Sequence, residues 1–263
     1  MQTEPTAISQ AKWPQRLFII RHGESAGNVA RDAAEAAAEH RIDIATRDVD
    51  TPLSALGERQ ALALGRWFRD MPADRQPSVL LCSPYVRAVQ TSRLLLEAAG
   101  LESDAIAIQR DERLREKEFG LLDRLTKVGI RQKFPELSEQ RLHVGKFYFR
   151  PPGGESWCDV LLRLRSVLDT LTREYRRQRV LIVAHQVIVN CLRYLLERMD
   201  EQQIMEIDRG ADVPNCSVTS YEFHPRAGRA GKLLPRLVNF VAPLEEAGAR
   251  VTTAPDVPAA PKS

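Results

Sequence analysis

The 263 residues predict a parallel α/β sheet covered by helices on both faces, and three observations carry that prediction. Short continuous apolar runs, with Leu17-Phe18-Ile19-Ile20 and Val180-Leu181-Ile182-Val183-Ala184 the clearest, are what strands buried on both sides require. Longer stretches with apolar residues at helical spacing lie between such runs. The two kinds alternate along the chain, the order expected of strand–helix–strand units. At 43% hydrophobic and 28% charged residues, a chain of this length buries a sizeable core without disulfides or structural metal.

Residues 1–15 are polar, carry two prolines and are expected to form a flexible N-terminal segment. Arg16-Leu17-Phe18-Ile19-Ile20 is the first strand. Residues 29–40, rich in Ala and Glu, read as helix or helical insertion. Thr51-Pro52-Leu53-Ser54 offers an N-cap to a helix carrying Ala61, Leu62, Leu64, Trp67 and Phe68. Ser78-Val79-Leu80-Leu81-Cys82 is the second strand, ending at Ser83-Pro84. There Ser83 can cap and Pro84 can open a helix that runs through Val86, Val89, Leu94 and Leu95 to about Gly100. Residues 105–108 are the third strand, and residues 111–150, dense in charge, read as loop plus a helical excursion. Residues 155–177 form a long helix with Val160, Leu161, Leu164, Val167, Leu168 and Leu171 on one face. Residues 180–184 are the fourth strand, followed by a helix over 188–197, a strand over 219–223 and a pairing edge over 233–241. From Pro243 the chain is rich in Pro and Ala, so 243–263 reads as a disordered tail behind one domain over 16–242.

The net charge of +3 argues against a dedicated nucleic-acid or membrane binder. From His224 onward there are six basic and three acidic residues, which leaves 32 of each sign in residues 1–223. The body is therefore neutral, and any positive field must come from a few converging side chains. No apolar run approaches the roughly 18 residues of a membrane span, and the early apolar run is too short for a secretory signal. Cys82, Cys158, Cys191 and Cys216 have no zinc or redox spacing and read as small buried hydrophobes. A cytoplasmic protein with reduced thiols is the expectation.

In open α/β sheets ligands gather at the carboxyl ends of strands. Arg21-His22-Gly23-Glu24-Ser25 follows the first strand, Ser83-Pro84-Tyr85-Val86-Arg87 the second, Leu114-Arg115-Glu116 the third and His185-Gln186 the fourth. Two histidines, two arginines and a carboxylate are thus directed to one sheet edge. These residues suit phosphoryl transfer, which needs positive charge around the phosphoryl oxygens and an in-line attacker. Arg21 and Arg87 can clamp a phosphate by charge-assisted bonds, with donors added by His185, Asn28 and the Gln186 backbone amide. An attacking imidazole must be neutral, with its other nitrogen fixed, best by a backbone carbonyl. Gly23 would permit close backbone approach.

Six blocks in order resemble the histidine phosphatase (phosphoglycerate mutase-like) superfamily over roughly residues 16–223. They are Ile20-Arg21-His22-Gly23-Glu24-Ser25 with Asn28; Asp50-Thr51-Pro52-Leu53-Ser54 with Gly57 and Gln60-Ala61; Ser83-Pro84 with Arg87-Ala88-Val89-Gln90-Thr91; Leu114-Arg115-Glu116; Pro152-Gly153-Gly154-Glu155-Ser156; and Val183-Ala184-His185. The resemblance implies a three-layer α/β/α sandwich with a mostly parallel sheet and a helical cap, placed here at about 117–150. It implies that His22 becomes a phosphohistidine, that Glu116 is the proton donor to the leaving alkoxide, and that His185 joins the catalytic set. Glu112 and Glu118 are the competing carboxylates for Glu116's role. Ser156 reads as a helix cap rather than part of a phosphate cradle.

Where mutases of the family continue Glu-Arg-His-Tyr-Gly, this chain has Glu116-Lys117-Glu118-Phe119-Gly120, which disfavours the mutase reaction. Gln186-Val187 stands where Gly-Gly is usual, and Gly27 where Trp is common. The cap's basic residues with Phe134, Phe147, Tyr148 and Phe149 would suit a substrate with extra anionic and planar parts. The reading is a metal-free phosphatase acting on a small phosphomonoester, with no cofactor, no metal and no nucleic-acid or membrane partner; a homodimer stays open. Its alternatives are mutase-like transfer to a second hydroxyl and a non-catalytic phosphate-binding protein.

Overall fold

The computed structural model describes residues 12–101, 106–228 and 231–253. Among the described residues six strands form one sheet in the order β3-β2-β4-β1-β5-β6: β1 (Arg16–Arg21), β2 (Val79–Cys82), β3 (Ile108–Arg110), β4 (Arg179–Ala184), β5 (Val218–His224) and β6 (Lys232–Phe240). The pairs β3–β2, β2–β4 and β4–β1 are parallel, while β5 runs antiparallel to both β1 and β6. Alternation along the strands loads both faces. Leu17, Ile19, Val180 and Ile182 meet α6 (Trp157–Glu174), α7 (Gln186–Glu197) and α8 (Glu201–Gly210). Phe18, Ile20, Leu181 and Val183 meet α2 (Ala55–Arg69) and α3 (Val86–Ala99). The result is a three-layer α/β/α sandwich.

Local chemistry sets the helix boundaries. α1 (Ala26–Ala36) starts earlier than expected because Ser25 and Asn28 form a capping box, and α2 starts on the Ser54 cap. α3 begins at Val86 rather than Pro84, since Tyr85 is the N-cap and Ser83 is drawn into another hydrogen bond described below; it ends at Gly100 in a left-handed C-cap. Ser156 caps α6 in a second box with Asp159. α8 was not anticipated, although its Asp200–Gln203 capping box and buried Ile204 and Met205 are helix signals.

Three further expectations are corrected. The third strand spans Ile108–Arg110, not 105–108; its pairing with Leu80, Leu81 and Cys82 sets the register, and residues 102–105 lie outside the described residues. The flexible N-terminal segment ends sooner than residue 15, because Trp13 packs on the core and Gln15 is hydrogen-bonded to Gln178 and Phe223; residues 1–11 lie outside the described residues. The tail is not disordered from 243. A short helix α9 (Ala242–Glu246) buries Leu244 against α2, and structure continues to residue 253; residues 254–263 lie outside the described residues.

The cap region holds α4 (Lys127–Lys133) and α5 (Pro135–Val144) around a small core of Leu122, Leu125, Ile130 and Phe149. Its aromatics mostly do not face a ligand: Phe147 and Phe149 are buried, Phe134 packs on the cap core, and Tyr148 is exposed. Several of its cations bind protein groups, as Arg124 binds the carbonyls of Ile44 and Thr46, Lys146 pairs with Asp208 and Arg150 with Asp159. The expected basic and aromatic lining for a large substrate is therefore largely packing. Among the described residues no helix is long and apolar enough to cross a membrane.

Candidate active site

The parallel neighbours β1 and β4 end together, which puts His22 and His185 side by side, ring centroids 5.1 Å apart and both fully buried. The ladder continues one step beyond the strands, with His22 N–H donating to the Ala184 carbonyl at 2.9 Å. The loop after β1 lies against the start of α2. A Cβ on Gly23 would stand 2.5 Å from the Gly57 carbonyl oxygen, and one on Gly57 would stand 2.0 Å from that of Glu24. The reason for Gly23 is therefore backbone-to-backbone packing.

His22 is held in one tautomer. Nδ1 faces the Gly23 carbonyl at 2.7 Å, an acceptor, so Nδ1 carries the proton. Nε2 faces the Nε–H of Arg87 at 3.2 Å, a donor, so Nε2 keeps its lone pair. The expected backbone anchor for the non-attacking nitrogen is present.

Arg87, buried in the first turn of α3, turns its other edge to Asp48. Nη1 donates to the Asp48 carbonyl at 2.6 Å and lies 3.0 Å from Oδ1, while Nη2 donates to Oδ2 at 3.3 Å. Tyr85 packs between the Arg87 guanidinium and the His185 ring, 4.9 and 5.0 Å away. Burial and nearby Asp48 push its phenol well up, so it stays neutral. His185 Nε2 shares a 2.7 Å hydrogen bond with Ser83 Oγ. Asp48, Tyr85 and Ser83 were not singled out in the sequence as site residues. Asp48 had no signal of its own, since Asp50 two residues on was equally eligible and proves to pair with exposed Arg47.

Arg21 is buried and donates from Nη1 to the Val213 carbonyl at 2.6 Å. Glu116 is buried, with Oε1 accepting from the Lys117 N–H at 2.7 Å, and its backbone is pinned by Arg163 from α6. Arg163 also binds Glu155, which gathers Arg115 and the Glu118 N–H. Burial raises the Glu155 carboxyl, but Arg163, the Glu118 N–H and Arg115 together outweigh it and leave it below its usual range. Glu118 is exposed and Glu112 sits in a 3-10 turn, so Glu116 is the buried carboxylate of the three. The Lys117 ammonium is buried over the Phe119 ring at 4.4 Å, and burial pulls it down to about 8 despite nearby Glu116 and Glu155.

The last two candidates have their side chains engaged. Asn28 Oδ1 accepts from Ser25 in the capping box, which fixes the direction of its amide. Gln186 Nε2 donates to Asp212 at 2.6 Å, so the side chain is turned to that carboxylate while its backbone opens α7. A helix N-terminus there suits an anion. Among the described residues no group of three or more His, Cys, Asp or Glu could hold a metal ion.

Residues 17–233 match the histidine phosphatase superfamily (branch 1). A 2,3-bisphosphoglycerate-dependent phosphoglycerate mutase of Rhizobium meliloti (strain 1021) is 29% identical over 202 residues, 75% of this chain and 87% of that protein. Among solved structures, Bacillus stearothermophilus YhfR is 25% identical with a TM-score of 0.66, covering 87% of this chain and 98% of that one. A mycobacterial glucosyl-3-phosphoglycerate phosphatase in complex with inorganic phosphate is similar in fold, at 24% identity and TM-score 0.63 over 87% of this chain and 99% of that one.

Proposed function

The chain belongs to the histidine phosphatase superfamily, and from that premise we propose that it hydrolyses a small phosphomonoester through a phosphohistidine on His22. The observation that carries this is the tautomer lock: Nδ1–H is held by Gly23 O, and the Nε2 lone pair lies under Arg87. A neutral imidazole in this state is a nucleophile with a chosen nitrogen.

His22 Nε2 attacks phosphorus as the ester P–O bond breaks. The Glu116 carboxylic acid gives its proton to the departing alkoxide. Arg21, the Nε edge of Arg87, the Asn28 amide and the first backbone amides of α7, that of Gln186 included, stabilise the phosphoryl oxygens. His185, its Nε2 hydrogen-bonded to Ser83 Oγ, stands beside His22 and adds a ring donor to the same oxygens when its Nδ1 is protonated. Water then attacks the phosphohistidine, Glu116 takes its proton, and inorganic phosphate leaves with His22 restored. No step calls on a metal, since guanidinium groups supply the charge.

A mutase reading is favoured by the name of the Rhizobium relative; it requires a long-lived phosphoenzyme and stimulation by a bisphosphate. Phe119, which lacks a hydroxyl, and the Glu118 charge beside Glu116 favour water as the acceptor. The test is a phosphoester panel with EDTA on the wild type and His22→Ala. The wild type should release phosphate and the variant should not; release by the variant at the wild-type rate, or loss of wild-type activity in EDTA, contradicts the reading.

A further inference from the structure

The family match ends at residue 233, and the chain goes on to turn back across α2. Leu244 is fully buried in the core that also holds Phe18 and Leu64, with Ala249 beside it. Beyond them the segment reaches two buried amides. Gln60 Nε2 donates to the Arg250 carbonyl at 2.9 Å and to Thr252 Oγ1 at 3.0 Å, while its Oε1 accepts the Glu24 N–H at 2.8 Å. The Thr252 hydroxyl donates to Asn215 Oδ1 at 3.1 Å, the Thr252 carbonyl accepts the Asn215 N–H at 2.8 Å, and Asn215 Nδ2 donates to the His22 carbonyl at 3.0 Å.

These two arms end on the peptides either side of Gly23. Asn215 holds the carbonyl of the His22–Gly23 peptide. Gln60 holds the N–H of the Gly23–Glu24 peptide, whose carbonyl is the anchor of His22 Nδ1. Turning that second peptide would turn the imidazole, because one rigid plane carries both groups. The Thr252 hydroxyl accepts from one arm and donates to the other, so it joins them. Gln60 and Asn215 are fully buried, and each would lose a partner without it.

We propose that residues 249–253 are a strap that positions His22 for in-line attack, with Thr252 as the positioning residue acting through Gln60 and Asn215. This rests on His22 being the nucleophile. The strap acts on the backbone around His22 and sets where Nε2 stands, while Arg87 is anchored elsewhere, on Asp48.

The test is Thr252→Val, which keeps the shape and removes the hydroxyl, measured by rapid quench for phosphohistidine formation. The rate should fall about tenfold, the scale of a small misplacement of a reacting group, with inhibition by inorganic phosphate changed less than twofold. Thr252→Ser should restore the rate. A chain ending at Gly248 should lose the same step, and one ending at Thr253 should keep it. Phosphorylation of Thr252→Val at the wild-type rate overturns the strap, as does equal loss in both shortened chains. His22→Ala separates the two claims: turnover by that variant removes the nucleophile reading, whereas an inactive His22→Ala beside a wild-type Thr252→Val refutes the strap alone.

Discussion

Arg87 divides its guanidinium between two duties, with Nη1 and Nη2 against Asp48 and Nε toward His22 Nε2. Asp48 thereby fixes the Nε edge toward His22, and the fork geometry that allows this is not available to lysine. Lys117 presents the opposite situation, a cation whose burial costs stability. Its folded value of about 8 lies below the ordinary 10.5, so the unfolded chain binds more protons between those two values and stability from this group rises as pH climbs through that window. Lys117→Met should therefore raise the melting temperature at pH 7 by a few degrees and abolish that rise, as thermal melts from pH 7 to 10.5 would read. Glu116 was picked from three carboxylates by the family resemblance, while His22, His185 and Arg87 were legible as candidates because each follows a predicted strand, where the fold class itself says a ligand binds. Asp48 was not, because its role depends on how a long loop lies across α3, and nothing local in the sequence encodes that.

Caps decide the elements around the site. Ser156 accepts from the Asp159 N–H and the box fixes the start of α6, the helix whose Arg163 pins Glu116. Ser156→Ala should cost about 1 kcal/mol of stability, seen as a lower urea midpoint, and should raise the temperature sensitivity of turnover. The starts of α2 and α6 were readable from Ser54 and Ser156, whereas the caps at Ser25 and Asp200 went unread. The error at α3 has the same physics in reverse: Ser83 looks like a cap, but His185 claims its hydroxyl and the helix opens later. The third strand was displaced for a different reason, since Ile108-Gln109-Arg110 carries a single apolar residue and takes its register from pairing with Leu80, Leu81 and Cys82.

At the scale of the whole molecule one sheet carries two cores. Leu64 and Leu164 are each fully buried on opposite faces. Leu64→Ala and Leu164→Ala should each cost about 2–5 kcal/mol, and each variant should unfold in one transition by both circular dichroism and fluorescence. The strand pattern announced this layering, because continuous apolar runs can be buried only between two helix layers. The C-terminal segment was misread from composition: its few apolar side chains suffice because Leu244 lands in the α2 layer, and its backbone supplies the rest. A chain whose net charge is only +3 thus concentrates buried arginines at one sheet edge. The most direct measurement is to quench the enzyme in alkali during turnover and map the phosphorylated peptide by mass spectrometry. An acid-labile phosphoryl group on His22, absent from His22→Ala, is the result expected. A phosphoryl group on another residue, or turnover by His22→Ala, would contradict the account.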